Sequence, residues 1–482
     1  MSPGFDRRSL LTVGGGVVAA TAASAAAALS GPAAWATGPT EPASSGAAGA
    51  PDAGAPAAVE TDDTTAATLD DAVAATATGG HLTVTRAWTR ATSLVLDRPM
   101  TVSFSGDGSL RMTADVEAIV IRASSVSVQR AVITGTGAGR AAGRAIGIRV
   151  AGAAGGELDD IVIEGCRLSD LAHTGVRAEF CDTLTIAGNT IERVAYAGVL
   201  LLSVSDVWVR GNTVSDVLQP AGQVNSYGII VTRDDTVGLD VAPRSTRVWI
   251  DGNAVSGVRS WEGIDTHAGD AVLIRDNVVT DCRVGIALVP CRGVGAGAGY
   301  SHAPVGFVVT GNTVTRAALT GPGSGIVVKG AGDSVGSDAE RATGVVTDNT
   351  VTGHGGGTEA GILVYLTRDL IVSGNRLDAS VDRAIQAYHS NDRLMLTRNV
   401  VTGLVSSTGS GACTVVDVRS AQNKVTITAT RFVRPSGSTS SVRGVTAGVA
   451  GNALDLLGND WAATNLPVWG KASTVNRYGD GA

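Results

Sequence analysis

Along most of this chain a short alternating apolar run is followed by two or three polar residues, an Asn and a further apolar residue. The register reads LTIAGNTI from Leu184, VWVRGNTV from Val207, VWIDGNAV from Val248, VLIRDNVV from Val272, FVVTGNTV from Phe307, VVTDNTV from Val345, LIVSGNRL from Leu370 and LMLTRNVV from Leu394. The repeated Asn returns after 23 residues from Asn189 to Asn212, and after 24 from Asn253 to Asn277 and from Asn375 to Asn399. The gaps of 41, 35 and 37 residues that follow Asn212, Asn277 and Asn312 read as one such unit carrying an insertion. Self-similarity at that period marks a stacked-coil architecture. Two dozen residues are too few for a helix pair with loops, and β-branched runs of period two are strands.

A second strand opens on Gly between successive Asn residues: GVRA at Gly175, GVLL at Gly198, GIIV at Gly228, GIDT at Gly263, GIAL at Gly285, GIVV at Gly325 and GILV at Gly361. Each unit therefore holds at least two short strands, and its length suits three. Like strands met once per unit in the same direction can pair only in parallel, at about 4.8 Å per step, and the crossover preference makes the winding right-handed. Weaker frames from Val126, Ile161, Val425 and Leu454 lengthen the stack at both ends. The predicted fold is all-β, a single right-handed parallel β-helix of about a dozen coils, some 55 Å long. The Asn residues are expected at corners, in left-handed backbone geometry and stacked as a ladder.

These repeats resemble the parallel β-helix repeat of the pectate-lyase superfamily over most of residues 60–460. The segment DDTTAATLDDAVAA from Asp62 is similar to the capping helix that opens many of its members, which places an N-terminal cap at 62–80 and the β-helix with its C-terminal cap at 81–482. Thr68 is a suitable N-cap, Asp70 and Asp71 fall in the first turn, and Leu69, Ala72 and Val73 share the face that would close the open end of the stack. The resemblance implies the fold; lyases, hydrolases, epimerases and non-catalytic rods all use it.

Residues 1–36 read as a targeting peptide: Arg7 and Arg8, an Ala/Val/Gly-rich stretch to Leu29, and the small-residue site Ala34-Trp35-Ala36. It resembles a twin-arginine signal, which implies export and a secreted or cell-wall location. Residues 37–61, rich in Pro, Ala, Gly, Ser and Thr, read as a flexible linker. After signal removal no membrane insertion is expected, since no later stretch approaches 18 apolar residues. A net charge of −7 argues against a nucleic-acid partner. An extracellular polysaccharide is the expected partner and a monomer the expected state. The five cysteines are an odd number; Cys181 and Cys291 recur at the same coil position four coils apart, too far for a bridge, so buried free thiols are expected.

Function is sought on the outward face of the Gly-opened strand. Alternation sends the residue after Gly inward and the next outward, which makes Asp265 and His267, in WEGIDTHAGD, outward neighbours two residues apart. Asp is disfavoured in strands, and a carboxylate so placed can orient an imidazole. From the Gly to the next Asn is 14 residues in the minimal coils, but 25, 27 and 24 after Gly228, Gly285 and Gly325. The additions, 233–246, 290–304 and 329–343, leave the same edge of the same sheet on coils around the uninserted Asp265 coil, so they are expected to wall a groove with Asp265 and His267 on its floor.

EGIDTHA from Glu262 also resembles the YGxDPHD signature of the mannuronan C5-epimerases and related alginate-acting enzymes, with Glu262, Thr266 and Ala268 departing from it. Asp265 matches its first Asp and His267 its His, and Tyr227 in the preceding coil is a candidate for the missing tyrosine. Proton abstraction from a uronate needs a base, a cation for the enolate charge and an acid for the leaving oxygen. His267 is the candidate base, Asp265 its orienter, and Arg233, Arg283 and Lys329 the candidate cations; Glu262, Trp261, Tyr227 and Tyr365 join them as candidate substrate contacts. Lyase or epimerase chemistry on a uronate-containing glycan is the first expectation. A glycoside hydrolase pairing Asp265 with Asp235 or Asp270, and a non-catalytic glycan-binding rod, are the alternatives. β-Helix enzymes acting on uronates often use calcium, though no oxygen-ligand loop stands out here.

Overall fold

The computed structural model describes residues 60–479 apart from 140–142, 223–224, 295–298, 318–319 and 471–473. The targeting peptide and nearly all of the linker lie outside these residues. The one helix among the described residues, Leu69–Ala75, starts at Thr68 in a capping box: Asp71 N–H donates to Thr68 Oγ1 at 3.1 Å and Thr68 N–H to Asp71 Oδ2 at 3.0 Å. Leu69, Ala72 and Val73 are buried against the first coil, and Arg90 grips Asp70 with two bonds of 3.0 Å. Pairing begins earlier than the expected linker boundary, because Glu60–Asp62 is already a strand beside His81–Val84.

The rest winds through three long parallel sheets of 16, 13 and 14 strands. In each full coil the chain runs along sheet A, turns at the Asn, crosses sheet B, turns at the Gly and returns along sheet C. One coil shows the order: Asp182–Ala187, Thr190–Val194, Ala197–Leu202. Register holds like against like, with Leu184, Val207, Val248 and Val272 successive partners in sheet A and Val199, Ile229, Ile264 and Ile286 in sheet C. Their side chains fill one continuous core along the axis. Each fully buried Val, Leu or Ile is worth roughly 1.5 to 3 kcal/mol before its ordering cost is counted.

The repeated Asn forms a buried ladder from Asn189 to Asn399, each backbone N–H donating to the Oδ1 of the next coil's Asn at 2.9 to 3.1 Å. Cys166 takes the Asn position one coil earlier and donates its N–H to Asn189. The left-handed geometry expected at the Asn belongs instead to the residue before it: Gly188, Gly211, Gly252, Asp276, Gly311, Asp348, Gly374 and Arg398 have φ between 53° and 66°. That leaves the Asn free to project inward and stack. A second ladder, Asn391 to Asn423 to Asn452, lines the other corner near the C-terminal end.

All three insertions leave sheet C at the corner that leads to sheet A, as their lengths imply. They are tied together there: Arg244 of the first donates to Ala303 O of the second at 3.0 Å and pairs with Glu340 of the third, which accepts from Ala303 N–H at 2.7 Å. The second insertion carries a small antiparallel hairpin, Cys291–Arg292 with Tyr300–His302. All five cysteines are buried and unpaired.

Candidate functional site

The strand Glu262–His267 lies in sheet C between Tyr227–Thr232 and Val284–Val289. Ile264 joins the interior core, whereas Asp265 sits in register with Ile230, which packs in a separate outer cluster with Ala197, Leu200 and Tyr227. Asp265 and His267 therefore project outward. Strict alternation would send Glu262 inward, but its register partner Tyr227 belongs to that same outer cluster. Gly263 absorbs the change at the corner: a Cβ there would meet Val279 Cγ1 and Gly285 O at 2.7 Å and Cys282 Sγ at 3.0 Å, so this residue faces the interior with no room for a side chain. The outcome is three functional groups on one patch, with a ligand atom each from Glu262, Asp265 and His267 within 4.8 Å of one another.

The patch is far more enclosed than a groove floor open to solvent. Asp265 is fully buried and Glu262 4% exposed, while the His267 side chain keeps 24% of its surface. Asp265 Oδ2 lies 2.9 Å from His267 Nε2, at ion-pair distance but off the ideal hydrogen-bond direction, and no other donor among the described residues reaches either Asp265 oxygen. Burial works to discharge the imidazole, yet the charges of Asp265, Glu262 and Asp235 outweigh it and raise His267 to about 9. His267 is thus an imidazolium at neutral pH, and it acts as a base only once that proton has left.

An aromatic stripe runs beside this patch. His173 packs on Tyr196 with ring centroids 4.9 Å apart, Tyr196 on Tyr227 at 5.6 Å and Tyr227 on His267 at 6.1 Å. Trp261 packs against the same outer cluster. Burial, with Tyr196, Asp265 and Glu262 nearby, pushes the Tyr227 phenol well above 10, so it stays a neutral donor; its oxygen accepts from Asn225 Nδ2 at 2.5 Å. His173 is driven the other way, by burial, to about 4. His173 and Tyr196 are additions to the sequence-derived set. Their signal was an aromatic one or two residues ahead of the coil's Gly, repeated in four successive coils as His173, Tyr196, Tyr227 and Trp261.

The three candidate cations are not brought to the patch. Arg233 turns back into its own insertion, donating Nε to Ala242 O at 2.7 Å and also bonding Val237 O. Arg283 lies over Trp261 at 5.7 Å and reaches Ser260 O, on the corner that leads from sheet B. Lys329 is buried two coils away, between Tyr300 at 4.5 Å and Tyr365 at 5.4 Å. Tyr365 therefore belongs to a second outer cluster. Among the described residues, Glu262, Asp265 and His267 also form the one group of three or more such donors suited to a metal ion. One imidazole and two carboxylates suit a zinc- or manganese-type ion better than calcium, which takes six to eight oxygens.

Comparison with known proteins agrees with this architecture. A family model described as a right handed beta helix region matches residues 117–335. No curated protein matches the chain. Among solved structures, the catalytic unit of the thermostable GH87 α-1,3-glucanase from Streptomyces thermodiastaticus strain HF3-3 superposes with a TM-score of 0.52 and 15% identity, covering 89% of this chain and 70% of that one. The tailspike protein of E. coli bacteriophage HK620 gives 0.51 and 10%, covering 83% and 72%. The periplasmic alginate epimerase AlgG gives 0.48 and 12%, covering 76% and 84%. No helix among the described residues is long and apolar enough to cross a membrane. From the core stacking, the three sheets, the family model and the two structures that superpose above 0.5, the chain is a right-handed parallel β-helix protein.

Proposed function

We propose that this protein acts on an extracellular polysaccharide, by lyase- or epimerase-type proton abstraction from an acidic sugar, at the outward patch formed by Glu262, Asp265 and His267. The observation that carries the reading is the pairing of His267 with a fully buried carboxylate: Asp265 holds the Nε2 side, leaving Nδ1 as the atom that can take a proton. Because the imidazole holds its proton to about pH 9, proton abstraction by this route belongs to alkaline solution. At lower pH the imidazolium is a cation suited to an acidic sugar's carboxylate. Tyr227, neutral and next to His267, is the candidate donor to the leaving oxygen. The twin-arginine-like segment at 1–36 fits export to where such a glycan is found. The likeness in fold to a GH87 α-1,3-glucanase keeps a glycan-acting role in view without favouring this chemistry over another.

One observation favours a second reading. Glu262 and Asp265 bring carboxylate oxygens within 4.8 Å, close to the 5 to 5.5 Å of a retaining glycosidase. A panel of uronate and neutral polysaccharides separates the outcomes. A lyase generates unsaturated uronate ends that absorb in the ultraviolet, a hydrolase generates reducing ends without them, and an epimerase changes only the proton NMR spectrum of the glycan. Binding without turnover by the parent protein on every member would remove the enzymatic reading.

A further inference from the structure

Well away from this patch, sheet C opens into a cleft of about 480 Å³ on its outer face. It is built on Arg383–Tyr388, Cys413–Val418, Val442–Ala447 and Leu466–Gly470. Register places Asp417, Thr446 and Trp469 in one outward column and Arg383, Thr414 and Arg443 in the next. Asp417 is five strand steps from Asp265, on the order of 24 Å along the axis.

The chemistry of the lining is uneven in a way that selects a ligand. Arg383 pairs with the buried Asp417 at 3.2 Å, and Arg419 stands 3.8 Å from the same carboxylate. Asp382 is occupied by the Ser407 N–H and hydroxyl at 2.8 and 2.7 Å. Arg443 makes no ion pair within 4 Å among the described residues, although its charge reaches Asp417; its guanidinium lies 4.4 Å over the ring of Trp469, which is 42% exposed. Three arginines against two carboxylates leave a surplus positive charge beside an open aromatic face, with the hydroxyls of Thr408, Thr414 and Thr446 around it. An aromatic face takes the apolar side of a sugar ring, hydroxyls take its polar edge, and a guanidinium takes a carboxylate in fork geometry.

We propose that this cleft binds an acidic sugar residue of a glycan chain, with Trp469 as the stacking surface and Arg443 as the anion contact. It goes beyond the proposed function, since it needs neither Asp265 nor His267 to react, though both readings place the same class of glycan on the same face. Desolvation raises the Asp417 carboxyl despite its three arginine neighbours, in keeping with a cleft partly closed to water.

The test is isothermal titration calorimetry of the purified mature chain with a uronic-acid oligosaccharide and a neutral glucose oligosaccharide of equal length. The uronate should bind about tenfold more tightly, about 1.4 kcal/mol, and weaken as salt is raised. Trp469→Ala should lose at least about tenfold for the uronate, and Arg443→Gln should bring it down to the neutral sugar's affinity. Equal affinity for charged and neutral sugars, no binding to either, or parental binding by folded Trp469→Ala and Arg443→Gln would each overturn the proposal. So would loss of binding in His267→Gln alone, which would place the glycan at the other patch. The proposal is read from binding at Trp469 and Arg443, so a failure of turnover at the other patch leaves it standing.

Discussion

Replacing Asp265 by Asn keeps the shape of the side chain and removes the charge nearest to His267. In the parent, Asp265 stands 2.9 Å from Nε2 and heads the set of carboxylates that lift the imidazole to about 9. Without it, burial is the largest remaining influence and acts downward. The His267 titration, followed by proton NMR of the imidazole Cε1–H, should therefore move down by well over about one pH unit, each unit being about 1.4 kcal/mol. The linkage has a definite sign. A histidine raised from 6.5 to about 9 stabilises the fold fully below pH 6.5, and that contribution disappears as pH rises through about 9. Its size is on the order of 3 kcal/mol, so urea unfolding of the parent should show a fall of that order between pH 6 and pH 10, and Asp265→Asn should show a much smaller one. A parent His267 that titrates at or below 6.5, or one whose titration is the same in Asp265→Asn, would mean that Asp265 does not hold the imidazolium.

Asn277→Ala leaves the Asn253 N–H without its acceptor and removes the donor to Ile250 O, so chemical unfolding should show a loss of about 2 to 4 kcal/mol; under 1 would deny the ladder its structural weight. Gly263→Ala drives a Cβ to 2.7 Å from Gly285 O and Val279, and should cost about 1 to 3 kcal/mol in the same assay. Turnover on a uronate glycan should rise with pH through about 9 as His267 loses its proton, and a flat profile from pH 6 to 10 would remove it as base. Zinc, by competing with that proton, should depress turnover more than calcium does at equal concentration, since the donors include an imidazole.

Much of this was legible along the chain because a solenoid writes its contacts locally: the Asn spacing gave the coil length, and coil length with the Gly strand gave the outward position of Asp265 and His267. The three insertions were readable as a count, and their common edge followed from where each began. What stayed hidden depends on contacts between coils that no single repeat records. Glu262 reaches the outer face because Gly263, at the corner, shifts the alternation by one residue. The full burial of Asp265 comes with the outer cluster around Tyr227 and Ile230, and the capture of Arg233 by its own loop depends on a turn that periodicity does not describe. The second ladder is not legible in the repeats because Asn391, Asn423 and Asn452 have dissimilar flanks, HSND, SAQNK and AGNA, with gaps of 32 and 29 residues. The left-handed residue lies one position before the expected Asn, since Asn and Gly both tolerate that geometry and in GN pairs the Gly takes it.

The most direct measurement is turnover of an acidic polysaccharide by His267→Gln beside the parent, at a pH above 9, with both proteins shown by circular dichroism to keep the β-helix. If His267 is the base, the variant loses at least about a hundredfold, the usual scale of a general base, with glycan binding retained. Parental turnover in the folded variant would mean that the chemistry, if any, happens elsewhere on the solenoid.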